Sequence, residues 1–171
     1  MDNEQYIYDY YLNTVKPTVA EFMANKCDLR KGRLAAIVLD HVRDYRAIQI
    51  GLKSKRGELS PPNMILDAMK EDCPDAIFLR DVCNASKHAI LSSNSKDMPR
   101  TLSNANQIKA EQNAGLFSAP FGEGMFAESN YVFIKFDQDQ ILNGEMISFR
   151  SLHDSINEVI KYWDKQLNIK A

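Results

Sequence analysis

Apolar residues recur at helical spacing in several stretches of the chain. The clearest stretch spans residues 29–52, where Asp28 is a suitable N-cap. Its predicted apolar stripe consists of Leu34, Ile37, Val38, His41, Val42, Tyr45, Ile48 and Leu52. Similar patterns predict helices over residues 12–25, 75–92 and 151–168, and a shorter one over 64–71. The sequence therefore predicts a bundle of three to five helices.

Two helix boundaries carry recognisable signals. Pro17 interrupts the first helical stretch, so we expect a kink or a new start near Thr14. Ser151 begins the last helix with Asp154 at the capping-box position. Trp163 belongs to the apolar stripe of that helix, which is therefore expected to dock on the core.

The pattern changes to that of β-structure over residues 100–149. Apolar residues alternate from 131 to 136, and Asn143-Gly144 is a strong hairpin signal. Residues 101–118 are expected to supply one or two further strands. The prediction is an α+β fold: a single domain over 1–171 with a small antiparallel sheet inserted before the C-terminal helix. The loop at 115–126 is predicted to be a connector, with a lid or an interface loop as the alternative.

Charge and composition exclude several classes of partner. The net charge of −2 gives no general attraction to nucleic acid, so any such contact must be local. The longest apolar run has six residues, far fewer than the ~20 of a membrane span, and no membrane partner is predicted. The N-terminus lacks signal-peptide features. Three cysteines without metal-ligand spacing indicate reduced thiols in a cytoplasmic protein.

The most distinctive stretch for function lies between residues 80 and 88. Set on a helix, its apolar side chains form one arc, and its polar side chains gather on the other side. The polar set consists of Arg80, Asp81, Asn84, Lys87 and His88. Such groups bind anions or move protons. A solvated helix face without a function explains the pattern equally well.

A second helix could complete this site. If His41 and Asp44 face the first polar set, an imidazole beside a carboxylate or amide forms an acid/base unit. Neighbouring cations would stabilise a phosphate and its transition state, as metal-independent RNA cleavage requires when the ribose 2′-hydroxyl attacks. The expected roles are His88 as acid/base, Arg80 and Lys87 as phosphate contacts, and Asn84 as the orienting group. His41, Asp44 and Asp81 would support them.

The helix containing Asp81, Asn84-Ala85-Ser86-Lys87-His88 resembles the active-site helix of HEPN domains, a helical family of nucleases and nucleotide-binding proteins in toxin and phage-defence systems. Arg80 and His88 match the family's Arg and His in type, with a longer spacing than in its motif. The resemblance implies binding or cleavage of RNA or a nucleotide. The order of helices, loop and strands, ending with Trp163, also resembles a group of uncharacterised small phage- and bacteria-associated proteins.

Two other interpretations remain open. His41, His88 and His153 lie on three predicted helices, but no pair has short ligand spacing, so we predict no metal site and no cofactor. A tyrosine-rich start, a phenylalanine-rich loop and hairpin edges suit self-association, including a homodimer. In that non-enzymatic binding or assembly module, the polar residues would form a structural network.

Overall fold

The computed structural model describes residues 3–91, 99–112 and 130–169, and within them the chain is mainly helical with one small sheet. The helices are α1 (Asn3–Tyr10), α2 (Lys16–Met23), α3 (Leu29–Asp40), α4 (Val42–Gln49), α5 (Pro61–Met69), α6 (Asp75–His88) and α7 (Leu152–Gln166). The strands are β1 (Ile108–Gln112), β2 (Asn130–Leu142) and β3 (Glu145–Ser151). The predicted α+β class and the position of the sheet before the last helix are confirmed. The predicted loop at 115–126 lies outside the described residues.

The expected irregularity before Pro17 is present. A π-helical segment, Tyr11–Val15, joins α1 to α2, and Pro17 lies in the first turn of α2, where its missing N–H costs little. Tyr11 is fully buried and its hydroxyl donates to the Asp164 carboxylate of α7 at 2.8 Å. The N-terminal helices are thereby held against the C-terminal one.

The predicted helix over 29–52 is divided at His41, and its buried face differs from the prediction. Asp28 caps α3 as expected, accepting a hydrogen bond from the Lys31 N–H at 3.0 Å. The predicted stripe is wrong at its ends, since Leu34 and Ile48 are 43% and 56% exposed. Other residues of α3 and α4 are buried instead, two of them charged: Ala35, Ala36, Leu39, Asp40, Arg43 and Ala47. Asp40 and Arg43 form an ion pair with each other, which allows both charges to be buried. Tertiary packing, and not the apolar pattern, therefore decides which face of these helices is buried.

The sheet is antiparallel, in the order β1-β2-β3. Asn143 and Gly144 both adopt positive φ, as a two-residue hairpin turn between β2 and β3 requires, which confirms that prediction. A register irregularity separates Lys135 from Gln140 on β2. The inward residues Val132, Ile134 and Phe136 are buried.

The C-terminal helix docks as predicted. Leu152, Ile156, Val159 and Trp163 are all buried and join one hydrophobic cluster with residues from the other helices and the sheet. Ser151 is the N-cap residue of α7, but its hydroxyl donates to the Asp154 carboxylate and does not cap the backbone. No helix within the described ranges is both long and apolar enough to cross a membrane.

His153 lies at the junction of α7 and the sheet. Its side chain is 14% exposed, its ring packs on Tyr131 with centroids 4.7 Å apart, and its Nδ1 is buried without a hydrogen-bond partner. Burial lowers the pKa of His153, with Lys26 and Arg150 acting in the same direction and Asp154 opposing them.

This lowered pKa predicts a pH-dependent stability. The unfolded chain binds a proton near the ordinary value of 6.5, whereas folded His153 binds it only at lower pH. The contribution of His153 to the free energy of unfolding is therefore fully present above about pH 6.5 and is lost as the pH falls through the folded pKa. Between about pH 7.5 and about pH 5.5, the melting temperature should fall further for the wild type than for His153→Gln. Equal losses in the two proteins would contradict this assignment.

Candidate functional site

The two polar helices predicted to form a site are neighbours. α3 packs against α6, and small side chains on both helices, including Ala35 and Ala36 on α3 and Ala85 on α6, are fully buried. His41 follows the last residue of α3, and Lys87 lies in the last turn of α6. The Lys87 Nζ lies 2.6 Å from the His41 Nε2, so the two helices meet through the residues that were predicted to carry function.

His41, Asn84, Lys87 and His88 define what we call the α3–α6 site. Lys87 and His88 are exposed, while His41 and Asn84 are partly buried. Asn84 precedes Lys87 by three residues and His88 by four, which places all three on adjoining parts of one helix surface. The site therefore offers one ammonium group, two imidazoles and one amide at the molecular surface.

The Lys87–His41 contact constrains the imidazole. An ammonium group has donors only, so the His41 Nε2 must accept, which requires a neutral ring with its proton on Nδ1. Lys87 also lies within hydrogen-bond reach of the Cys83 thiol, which leaves one of its three N–H groups for another acceptor. An anion bound there would lie beside the His41 imidazole.

A buried ion pair fixes the chain where His41 lies. Asp40 and Arg43 are 8% and 6% exposed, and the Arg43 Nε donates to the Asp40 carboxylate at 3.0 Å. The Arg43 Nη1 also donates to the Pro62 carbonyl at 3.0 Å, which ties α4 to the start of α5. Because both partners are buried and bonded, the α3–α4 junction has little freedom.

Cys83 lies beneath the site but lacks nucleophilic character. It is fully buried, and burial, with a contribution from Asp40, raises the pKa of its thiol to about 12. Lys87 acts in the opposite direction without overcoming burial. Cys83 is therefore a packed thiol that acts as a small hydrophobic residue.

Asp44, expected to support His41, is placed differently. It is exposed in the first turn of α4, and its backbone N–H donates to the His41 carbonyl at 3.0 Å. Its carboxylate helps to raise the pKa of Tyr10, an effect due mainly to burial of that ring against Tyr45. Among the described contacts, the hydrogen bond from Lys87 is the one that orients the His41 ring.

Arg80 and Asp81 lie inside the protein, away from the exposed end of α6. Their exposures are 6% and 0%, and the Arg80 Nε donates to the Asp81 carboxylate at 2.8 Å. Arg80 also donates to the Pro99 carbonyl at 2.7 Å, and the Thr101 N–H and hydroxyl donate to Asp81 at 2.7 and 2.8 Å. Burial raises the pKa of Asp81, opposed by Arg80 and Thr101. Arg80 thus connects α6 to residues 99–101, and its donors face the interior.

The structure therefore places Lys87 against His41, with Asn84 and His88 on the adjoining surface of α6, and it buries Arg80 and Asp81 in the interior. Asp40 and Arg43 were missed, although a charged pair at i,i+3 inside an apolar stripe was a visible signal. No group of three or more His, Cys, Asp or Glu side chains in the described part of the chain is arranged to hold a metal ion.

Comparison of the chain with protein-family models, curated proteins and solved structures finds no match.

The buried Arg80–Asp81 pair predicts a large stability effect. Arg80→Ala would leave the Asp81 carboxylate in the interior without its cation, which typically costs about 3–5 kcal/mol. Urea denaturation should show this loss, whereas Arg56→Ala in the exposed loop should change the free energy of unfolding by less than about 0.5 kcal/mol. Equal stability of the two variants would show that Arg80 has no such structural role.

Proposed function

We propose that this chain is a HEPN-like protein that binds RNA at the α3–α6 site and cleaves it by metal-independent acid/base chemistry. The observation that supports this most is the 2.6 Å contact between Lys87 and His41, because it joins the two predicted polar surfaces where a ligand can reach them. The resemblance of the α6 sequence to the HEPN active-site helix supports the same proposal.

The proposed chemistry uses the two imidazoles, the ammonium group and the amide of the α3–α6 site. His88 is exposed and can exchange a proton with solvent or substrate, so it is assigned as the acid/base. Lys87 contacts a phosphate oxygen and stabilises the charge that develops on it. The ribose 2′-hydroxyl gives its proton to His88 and bonds to phosphorus, while the bond to the 5′-oxygen breaks and that oxygen leaves with a proton from the second imidazole or from solvent. Asn84 orients His88 or the RNA, and His41 serves as the second imidazole.

Arg80 has no ligand contact in this proposal. Its guanidinium is bonded to Asp81 and to the Pro99 carbonyl, and using it for a phosphate would break a buried ion pair. The phosphate contact is therefore assigned to Lys87 alone. Asp81 and Arg80 hold α6 in place, so their effect on RNA is indirect.

The binding half of the proposal is tested with a short single-stranded RNA. Lys87→Gln should weaken binding about tenfold or more, since a charge-assisted hydrogen bond contributes about 1.5–3 kcal/mol. The slope of the logarithm of the association constant against the logarithm of the salt concentration should also decrease, by the amount that corresponds to about one phosphate contact. Lys55→Gln, in an exposed loop, is the matched control and should bind like the wild type. Equal affinities for all three proteins would overturn the proposal.

The cleavage half is tested separately. His88→Gln should lower the cleavage rate by about 10²–10⁴-fold, because proton transfer by a positioned side chain contributes that much. Its melting temperature should stay within a degree or so of the wild type, since His88 is exposed. Wild-type protein that binds RNA without cleaving it would reduce the proposal to binding alone.

A non-enzymatic assembly module, including a homodimer, is the second candidate. Its supporting observation is a set of exposed apolar side chains on the β2–β3 hairpin, where Ile141, Met146 and Phe149 are 75%, 73% and 55% exposed. Ile141 on β2 and Met146 on β3 are register partners, so they form one patch that extends onto the edge strand β3.

This candidate predicts a concentration-dependent dimer. Sedimentation equilibrium should show a second copy binding the wild type, and Met146→Lys should shift the protein to monomer because burying a lysine there is costly. Lys53→Gln, in the exposed loop after α4, is the control and should not change the association. A wild type that stays monomeric throughout the accessible concentration range would exclude the homodimer.

A further inference from the structure

A cleft of about 510 Å³ lies at the other end of α6 from the α3–α6 site. Asp75, at its floor, is the first residue of α6, and Lys87 follows twelve residues later, about 18 Å along the helix axis. α7 and the β2–β3 hairpin supply the walls. The volume lies within the usual range for small-molecule sites.

The floor of the cleft holds an arginine in a fixed orientation. Asp75 is 3% exposed, and it accepts from the Ser155 hydroxyl at 2.7 Å and from the Arg150 Nε and Nη2 at 3.1 and 3.4 Å. This side-on pairing leaves the Arg150 Nη1 without a described protein acceptor. Arg150 is 24% exposed and lines the cleft. A guanidinium held in this way is preorganised for an anion, because its orientation is fixed before a ligand arrives.

Two further cations line the same cleft from α7. Lys161 and Lys165 are four residues apart and therefore lie on one side of the helix. Lys161 pairs with Glu158 at 2.7 Å, but both side chains are well exposed, at 70% and 47%, so the pair is weak and easily exchanged. Lys165 has no partner among the described residues.

The carboxylates that line the cleft do not prevent Arg150, Lys161 and Lys165 from donating to a bound anion. Asp75 is already bonded to Arg150 and Ser155, and Glu158 is in the weak pair with Lys161. Asp72 is exposed at the rim, where solvent screens it. Burial, followed by Asp72, raises the pKa of Tyr162, so its hydroxyl keeps a proton that it can donate.

We infer that this cleft binds a small phosphate monoester, with Arg150, Lys161 and Lys165 contacting the phosphate oxygens. Three cationic donors around one cleft match the three terminal oxygens and double charge of a phosphate monoester better than the two oxygens of a carboxylate. The cleft size suits a mononucleotide. This inference is independent of the RNA site, because it uses none of the same residues.

Calorimetric titration of the full chain with adenosine 5′-monophosphate tests the inference, with inorganic phosphate and succinate as comparison ligands. The monophosphate should bind saturably and more tightly than succinate. Lys165→Gln should raise its dissociation constant about tenfold, and Lys161→Gln should raise it less, because Lys161 must leave Glu158. Both lysines are exposed, so these variants should fold. Arg150→Lys keeps a cation beside Asp75 and should weaken binding further.

Several results would overturn this site. One is the absence of saturable binding to the wild type, and another is succinate binding as tightly as the monophosphate. Unchanged affinity in Lys165→Gln would also overturn it. Loss of binding in Lys87→Gln, with Lys165→Gln unaffected, would assign the monophosphate to the α3–α6 site and support only the proposed RNA function.

Discussion

The close packing of α3 against α6 is the constraint on which the candidate site depends. Ala36 on α3 and Ala85 on α6 are fully buried in the one hydrophobic cluster that holds both helices. The end of α3 is thereby held beside the last turn of α6, within reach of a Lys87–His41 hydrogen bond. Because both alanines are fully buried, a larger residue at either position would crowd the core that holds the two helices in place.

Three buried carboxylates, each paired with an arginine, keep the surrounding elements in register. The pairs are Asp40 with Arg43, Asp75 with Arg150, and Asp81 with Arg80. Two of the arginines also donate to a proline carbonyl, Arg43 to Pro62 and Arg80 to Pro99. Desolvation offsets much of the attraction in such pairs, so their main effect is to penalise alternative packings that would leave a charge buried and unpaired.

The elements were predictable where local signals decide the structure. The Asp28 cap, the Asn143-Gly144 turn and the apolar stripe of α7 each depend on neighbours in sequence, and the structure confirms all three. The buried face of α3 and α4 was not predictable in this way. Asp40 and Arg43 are buried because each satisfies the other and because Pro62, far along the chain, supplies an acceptor.

The candidate site was predictable in residue type and only partly in arrangement. A helical pattern placed Arg80 and Lys87 on one polar side, but it could not show that residues 99–101 would cover Arg80 and Asp81. Nor could it show that Lys87, and not Asp44, would meet His41. The Arg150–Asp75 pair joins residues distant in sequence, and no local pattern carries that information.

The histidines themselves provide the most direct test, because the chain has only three. Imidazole ¹H–¹⁵N spectra of the labelled protein can be followed while a short single-stranded RNA is added. The signals of His41 and His88 should shift saturably, while that of His153, packed against Tyr131, should stay in place. Unmoved His41 and His88 signals at saturating RNA, or a shift confined to His153, would contradict an RNA site between α3 and α6.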